Sequence, residues 1–141
     1  MQIGNIFIVD LDTDDRDMIK DIAAELKLPN VLKFFSSGRE LIDHLAKTTE
    51  PPFIILCEVN LPTLDGFDLR KHLLVSANKK FHSVPFIFFS NKASNAQIQK
   101  AYDLSAHGFF LKPATYREMV SSFKVMIQYW QISCMPEKVT F

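Results

Sequence analysis

Carboxylates are concentrated directly after the first apolar run of the chain, in the segment DLDTDDRD that begins at Asp10. Asp14, Asp15 and Asp17 fall in the first turn of a predicted helix, where the helix dipole and unpaired amides favour negative charge. Asp10 and Asp12 lie at or just past the end of the apolar run, where clustered carboxylates are costly unless they share a cation. We therefore expect a helix-end role for the first three residues and a candidate cation site at the other two.

Three further apolar runs end in polar groups that suit phosphoryl chemistry. FIILC is followed by Glu58, FIFF by Ser90, and GFFL by Lys112. A carboxylate, a hydroxyl and an ammonium that converge on the acidic segment could bind a phosphoryl group, because Lys supplies positive charge and Ser a hydrogen-bond donor. A single charged residue after a strand usually marks only the return to solvent. Four such strand ends in one topology favour a shared site.

These residues must be positioned by an alternation of five apolar runs with amphipathic segments. The runs are continuously apolar, as in parallel strands covered on both faces, and the segments between them carry apolar residues at helical spacing. Right-handed crossovers then favour a doubly wound (βα)5 sheet with its ligand chemistry at the carboxyl ends of the strands. The predicted strands are 5–9, 31–35, 53–57, 84–89 and 108–111.

Composition limits the size and class of the protein. The 141 residues, 48% hydrophobic and 12% aromatic, suit one α/β domain with a sizeable core, which we expect over 1–132, followed by a tail at 133–141. Sixteen basic and sixteen acidic side chains leave no net charge, so nothing supports a nucleic-acid role through bulk phosphate attraction. Two cysteines make no disulfide framework, and neither a signal peptide nor a membrane-spanning run is visible. We expect a cytoplasmic protein with no membrane or nucleic-acid partner.

The sequence resembles the receiver domain of two-component response regulators over nearly the whole chain. The resemblance implies a flavodoxin-like fold with a five-stranded parallel sheet of order 2-1-3-4-5. It also implies a histidine kinase or another signalling protein as the partner. The matching strings are IFIVDLDTDDRDM, PFIILCEVNLPTLDGFDL and VPFIFFSNKASNAQIQKAYDLSAHGFFLKP.

In that family a first-strand acidic pair and a third-strand aspartate bind Mg²⁺, and the aspartate accepts a phosphoryl group from a histidine kinase. A Ser or Thr and a Lys ligate the phosphate. The resemblance gives Asp10 the role of the first acid, Ser90 that of the hydroxyl and Lys112 that of the lysine. It gives Asn60 the backbone carbonyl that reaches the metal.

The resemblance also identifies a conformational switch. Phe109, at the start of the fifth strand, matches the family's switch aromatic and would act together with Ser90. The step from Lys112 to Pro113 resembles a junction that is a cis peptide bond in the family, although base rates alone make a cis bond improbable.

Two positions depart from the family's pattern. Glu58 stands at the phosphoacceptor position, and its extra methylene, about 1.5 Å of reach, carries the carboxylate toward the phosphoryl position, where we expect it to pair with Lys112. Leu11 replaces the second acid, which removes a hard oxygen ligand for Mg²⁺; Asp12 is the alternative ligand. The leading interpretation is a degenerate receiver that needs no cofactor, is not an enzyme and signals by protein contact, with Glu58 mimicking the phosphorylated state.

Two alternatives stay open at this point. One is a working Mg²⁺-dependent phosphoacceptor that uses Glu58 or another acid, with Asp10, Asp12, Glu58 and Asn60 as the metal candidates. The other is a small haloacid dehalogenase-like phosphatase, which DLDTD, FIFFS and Lys112 resemble in part. That family needs a further acidic pair after its lysine, and this chain offers only two isolated glutamates there.

The end of the last predicted helix, IQYWQISCMP, carries Tyr129 and Trp130. It resembles stand-alone response regulators of the phytochrome-partner kind, whose last helix has a similar Tyr-Trp pair and contributes to a dimer. Trp130 also continues the apolar stripe of its helix, which would place it in the core. We therefore expect the fourth helix, fifth strand and fifth helix to form the surface for a partner or a homodimer.

Overall fold

Strands and helices alternate along the whole computed structural model, which describes residues 3–48, 50–76 and 81–136. The strands are β1 (Ile6–Val9), β2 (Leu32–Phe35), β3 (Ile54–Cys57), β4 (Phe86–Ser90) and β5 (Gly108–Leu111). The helices are α1 (Thr13–Glu25), α2 (Gly38–Lys47), α3 (Gly66–Val75), α4 (Asn95–Asp103) and α5 (Tyr116–Ile132).

The five strands form one parallel sheet in the order β2-β1-β3-β4-β5. This confirms the predicted doubly wound fold and its strand order. The register pairs Val9 with Cys57, and Ser90 with Leu111. Because the strands are parallel and paired strands end within two residues of each other in the register, the residues that follow them meet at one edge of the sheet.

The core lies in two layers, one on each face of the sheet. Phe7 and Val9 belong to one layer, whereas Ile6 and Ile8 belong to the other. The first layer includes apolar side chains of α2 and α3, and the second includes those of α1 and α5. Side chains of β1, β3 and β4 are therefore buried on both faces, which explains why these strands are continuously apolar in the sequence.

Three sequence expectations need correction or qualification. The predicted strand 84–89 begins later, at Phe86, because Pro85 has no amide to donate, and it continues to Ser90. The expected cis bond before Pro113 is wrong, since the residues the structure describes contain no cis peptide bond. The predicted tail at 133–141 is described only as far as 136.

The described part of the chain contains no helix both long enough and apolar enough to cross a membrane.

Trp130 is half-buried against the core layer shared by α1 and α5, and its ring also meets the edge of His107. Core packing therefore accounts for Trp130, whereas Tyr129 beside it stays exposed.

Candidate functional site

The polar residues that follow the strands converge at the carboxyl edge of the sheet. The amide of Glu58 donates to the carbonyl of Val9 at 3.0 Å, and the amide of Lys112 donates to the carbonyl of Ser90 at 2.8 Å. These backbone bonds extend the sheet by one residue beyond β3 and β5. Side chains at these positions therefore start from a rigid frame.

Gly66 allows α3 to begin directly against the strand end that carries Glu58. A Cβ atom at position 66 would lie 2.5 Å from the carbonyl oxygen of Glu58 and 3.0 Å from the ring of Phe88. The amide of Gly66 donates to the carbonyl of Val59 at 2.9 Å. Only a residue without a side chain fits here, so the turn after β3 holds Glu58 in place.

The Lys112 ammonium lies at the centre of the site. Its Nζ is 2.6 Å from Oδ2 of Asp10, 2.7 Å from Oδ2 of Asp15 and 3.1 Å from Oε2 of Glu58. The Lys112 side chain is only 2% exposed. Burial by itself lowers the pKa of Lys112, but hydrogen bonds to Asp10 and Asp15 and the nearby carboxylate charges outweigh it and raise the pKa above its usual value. The lysine therefore stays charged.

The Glu58 carboxylate joins Lys112 to Ser90. Its Oε2 accepts from the ammonium, and its Oε1 accepts from Oγ of Ser90 at 2.5 Å. Oε1 also accepts from the amides of Val59, at 2.9 Å, and Asn60, at 3.3 Å. The expected ion pair between Glu58 and Lys112 is confirmed, and the pair is buried with its hydrogen-bonding groups satisfied.

Asp10 is the most enclosed carboxylate contributed by β1. Its Oδ1 accepts from the amide of Asp12 at 2.9 Å, and its Oδ2 accepts from Lys112. Burial raises the pKa of Asp10, and the hydrogen bonds from Lys112 and from the Asp12 amide offset part of that increase. The ammonium of Lys112 therefore stabilises the charged form of the Asp10 carboxylate against the cost of burial.

Asp12 and Leu11 lie at the rim of the site. Asp12 is the N-cap residue of α1, and its Oδ1 accepts from the amides of Asp14, at 2.9 Å, and Asp15, at 3.1 Å. Leu11 is 55% exposed. The residues that line the shallow depression above the site are Asp10, Leu11, Asp12, Glu58, Asn60, Asn91 and Lys92.

Asp15 is a site residue that the sequence analysis missed. Its position in the first turn of α1 was explained by the helix dipole, and it carries no motif that separates it from Asp14. In the structure Asp15 turns toward the sheet and contacts Lys112, whereas Asp14 is exposed. Only the contact with Lys112 in the folded chain distinguishes the two residues.

The donors of the site fit Mg²⁺ poorly. Among the described residues, no group of three His, Cys, Asp or Glu side chains is arranged to hold a metal ion. The Leu11 side chain has no oxygen to offer, and Oδ1 of Asp12 already accepts a hydrogen bond at the start of α1. Asn60 lies exposed at the rim of the site. Mg²⁺ requires near-octahedral oxygen ligands, and these residues offer it an incomplete set.

Phe109 is half-buried on β5 and faces the core layer of α2 and α3. It pairs with Phe88 across β4 and β5, and the two ring centroids are 5.7 Å apart. Phe109 therefore lies against β4, the strand that ends at Ser90.

A parallel sheet of this order with five helices defines the flavodoxin-like class of α/β domains, in which function is located at the carboxyl edge of the sheet. The family model described as the response regulator receiver domain matches residues 6–124. The chain belongs to this family. Receiver domains as a class are signalling modules of two-component systems that interact with histidine kinases and other signalling proteins.

Curated relatives share about a quarter of their aligned residues with this chain. The DNA-binding transcriptional regulator NtrC of Klebsiella pneumoniae is 26% identical over 136 residues, which cover 96% of this chain but 27% of that protein. The chain therefore spans about a quarter of NtrC. A chemotaxis protein CheY homolog of Campylobacter jejuni is 27% identical over 110 residues, which cover 78% of this chain and 82% of the homolog.

Two solved structures illustrate the similarity of fold. The phosphorylated cyanobacterial phytochrome response regulator RcpA has a TM-score of 0.86 at 20% identity, covering 96% of this chain and 100% of that one. A response regulator in red light signaling of R. palustris has a TM-score of 0.85 at 20% identity, with the same coverage. At these identities the comparison concerns the fold alone.

Proposed function

We propose that this receiver is degenerate and that the Glu58 carboxylate, in place of a phosphoryl group, sets its signalling conformation. One observation carries the proposal: the two oxygens of Glu58 are divided between Ser90 Oγ and Lys112 Nζ. By resemblance, these are the two side chains that ligate the phosphate in the family. Glu58 therefore makes with its own side chain the contacts that a phosphoryl group makes in other receivers.

The charge balance of the site supports the same proposal. Lys112 stays protonated because hydrogen bonds to carboxylates raise its pKa, and the Glu58 carboxylate, at 3.1 Å, is one of three carboxylates that share this ammonium. A buried pair of this kind is favourable only when further hydrogen bonds satisfy both charges. Ser90 and the amide of Val59 satisfy Glu58, and Asp10 satisfies Lys112.

The inward position of Phe109, packed against Phe88, agrees with the proposed signalling conformation. Ser90, drawn toward Glu58, lies at the end of β4, and Phe109 packs on Phe88 of the same strand. In the proposal, the hydroxyl held by Glu58 keeps this end of β4 fixed. Phe109 then stays packed inward and sets the outer surface of β5.

The signal leaves the molecule through a surface that we call the output surface, formed by exposed side chains of α4, β5 and α5. Its members are Tyr102, Leu111 and Tyr129. Large apolar and aromatic side chains of this kind anchor protein–protein contacts. The proposed partners are a histidine kinase, another signalling protein or a second copy of this chain, and the proposed role involves no catalysis.

The test uses the Phe109 ring as the reporter of the switch. Glu58→Ala removes both contacts of the carboxylate, whereas Glu58→Gln keeps an oxygen that can accept from Ser90. We expect the nuclear Overhauser contacts between Phe109 and Phe88 to weaken in Glu58→Ala and to persist in Glu58→Gln. Phe109 contacts that are unchanged in Glu58→Ala, in a variant that remains folded by circular dichroism, would refute the mimicry.

A further inference from the structure

The hydrogen-bonding capacity of the Lys112 ammonium is fully used within the site. An ammonium group has three N–H donors, and Lys112 Nζ has three carboxylate partners within hydrogen-bond distance. Two of these, Asp10 and Glu58, follow the strands at the sheet edge. The third, Asp15, comes from the first turn of α1 and belongs to no motif in the sequence.

The carboxylate oxygens of Asp10 and Glu58 at the sheet edge also have hydrogen-bond partners. Each oxygen of Asp10 accepts a hydrogen bond, one from the amide of Asp12 and one from Lys112. Each oxygen of Glu58 also accepts, Oε1 from Ser90 and Oε2 from Lys112. A divalent cation that entered between Asp10 and Glu58 would have to displace the ammonium that already joins them.

We propose that the Lys112 ammonium fills the cation position of this carboxylate cluster, with Asp15 as the positioning residue that holds it there, and so closes the site to divalent metal ions. The proposal goes beyond the proposed function, because Glu58 could engage Ser90 with or without a bound metal ion. It assigns Asp15 a role that neither the strand ends nor the acidic segment define.

Three features explain why Asp15 is suited to this role. Its Oδ2 lies 2.7 Å from Lys112 Nζ, closer than the oxygen of Glu58. It is partly shielded from solvent, which strengthens a charge-assisted hydrogen bond. The neighbouring backbone amides at the start of α1 are capped by Asp12, which fixes the turn that presents Asp15.

The first experiment measures whether the ammonium excludes metal. Mn²⁺ is titrated into the full chain, and binding is read from paramagnetic broadening of the amide signals of Asp10, Asp12 and Glu58. We expect no selective broadening in the unmodified protein and binding at least roughly tenfold tighter in Lys112→Met. Lys92→Met is the matched control, because it removes one positive charge at the rim of the same depression without vacating the centre.

The second experiment measures whether Asp15 holds the ammonium. A lysine ammonium that is hydrogen-bonded and buried exchanges its protons slowly and gives a resolved 15N-coupled proton signal, which we expect for Lys112. The signal should be lost in Asp15→Asn, persist in Asp14→Asn and return in Asp15→Glu. Asp14 is a matched control because it lies in the same turn of α1 but is exposed.

Each result is decisive for the proposal. Selective Mn²⁺ broadening in the unmodified protein, at the affinity of Lys112→Met, would overturn the closure of the site. A Lys112 signal that Asp15→Asn and Asp14→Asn affect equally would overturn the role of Asp15. If Lys112→Met does not fold, the ammonium signal of the unmodified protein decides, because its absence refutes the closure. None of these readouts depends on the Phe109 contacts that test the proposed function.

Discussion

Glu58 differs from an aspartate at the same strand end by one methylene group, and its contacts show what that group changes. The carboxylate reaches Ser90 and Lys112 at the same time, while its Oε1 also accepts from the amide of Val59. A shorter side chain would have about 1.5 Å less reach and would leave a gap between the strand end and these two partners. At this scale the site is defined by the reach of a single side chain.

Phosphotransfer chemistry should require two repairs rather than one. Glu58→Asp restores the family's acceptor, but Leu11 still offers no oxygen for the Mg²⁺ that neutralises the approaching phosphoryl oxygens. We expect the unmodified protein and Glu58→Asp to be poorly labelled by acetyl phosphate. The Leu11→Asp/Glu58→Asp double variant should be labelled and should bind Mg²⁺ more tightly, with strongly non-additive effects. Intact-protein mass spectrometry with and without Mg²⁺ measures the labelling.

Leu11→Asp alone is the control for this experiment, since it adds a carboxylate without restoring the acceptor. Mg²⁺-dependent labelling of the unmodified protein, or full labelling of Glu58→Asp, would contradict the prediction. Either result would mean that Asp12 serves as the missing ligand and that the chain is a working phosphoacceptor.

Single residues differ in how far the sequence determines their roles. Glu58, Ser90 and Lys112 could be predicted to meet, because each follows a strand and parallel strands share one edge. The role of Asp15 could not be predicted, because Asp14 has the same chemistry one residue earlier and only the packing of α1 separates them. The sequence places Asp12 with Asp10 at a candidate cation site, whereas in the structure Asp12 caps α1 and its own amide donates to Asp10.

At the scale of elements, the start of α1 links helix formation to the site. The Asp12 side chain caps the helix through two amides, and its backbone amide donates to Asp10. Asp12→Ala should lower the free energy of unfolding by about 1 kcal/mol, and Asp12→Asn should cost much less, because Asn is also a good N-cap residue. Urea denaturation measures both.

Asp14→Ala is the matched variant, because it removes a carboxylate from the same turn but leaves the cap intact. It should lower the free energy of unfolding by only a few tenths of a kcal/mol, because it removes only the interaction of this carboxylate with the helix dipole. Equal losses for Asp12→Ala and Asp14→Ala would show that general electrostatics, not the cap, stabilise this helix end.

The start of β5 and the end of α5 meet at His107. Its Nδ1 accepts from the amide of Phe86 at 3.0 Å, and its ring lies edge-on to Trp130. Burial, and then the charge of Arg70, lower the pKa of His107. Between the folded pKa of His107 and its unfolded value of 6.5, the unfolded chain therefore binds more protons than the folded chain. The stability that the neutral ring contributes is present above the unfolded pKa and is lost as the pH falls through the folded pKa.

His107→Asn should flatten this part of the pH profile, because the Asn oxygen can accept from Phe86 without titrating. We expect the unmodified protein to lose more unfolding free energy than His107→Asn between pH 7 and pH 5. The difference should stay well under about 1.4 kcal/mol, because His107 is exposed to solvent, which screens its charge. Equal losses in the unmodified protein and in His107→Asn would contradict the prediction.

The elements themselves were predictable because their apolar patterns are strong. The strand predicted at 108–111 matches β5, and the other predicted strands overlap β1 to β4 with small shifts at their ends. The largest shift is at the start of β4, where Pro85 has no amide to donate to a neighbouring strand. The trans peptide before Pro113 was not predictable from the resemblance, because the isomer depends on the tertiary context of that turn.

At the scale of the whole molecule, the output surface is the feature that could join one copy to another. Tyr129, which is 59% exposed, lies next to the half-buried Trp130, with the two ring centroids 4.9 Å apart. A rigid aromatic pair on the last helix can anchor an interface with little loss of side-chain freedom. The core fixes one ring and leaves the other available to a partner.

The output surface should support a homodimer at high protein concentration. We expect light scattering to give a mass near twice the 16.2 kDa of one chain and Tyr129→Lys to shift it toward the monomer. Val75→Lys is the control, because Val75 is 82% exposed on α3 and lies outside this surface. A strictly monomeric unmodified protein would assign the output surface to a different protein instead.

The bond between the Glu58 carboxylate and its own chain has a consequence for timing. An acyl phosphate is lost by hydrolysis, so a phosphorylated receiver returns to rest at a chemical rate. The Glu58 side chain is joined through carbon–carbon bonds, so the group that contacts Ser90 and Lys112 is not lost by hydrolysis. Under the proposed function, the signalling conformation would therefore have no chemical decay rate. The strength of the signal would then follow the number of copies made and degraded, and the competitors that cover the output surface.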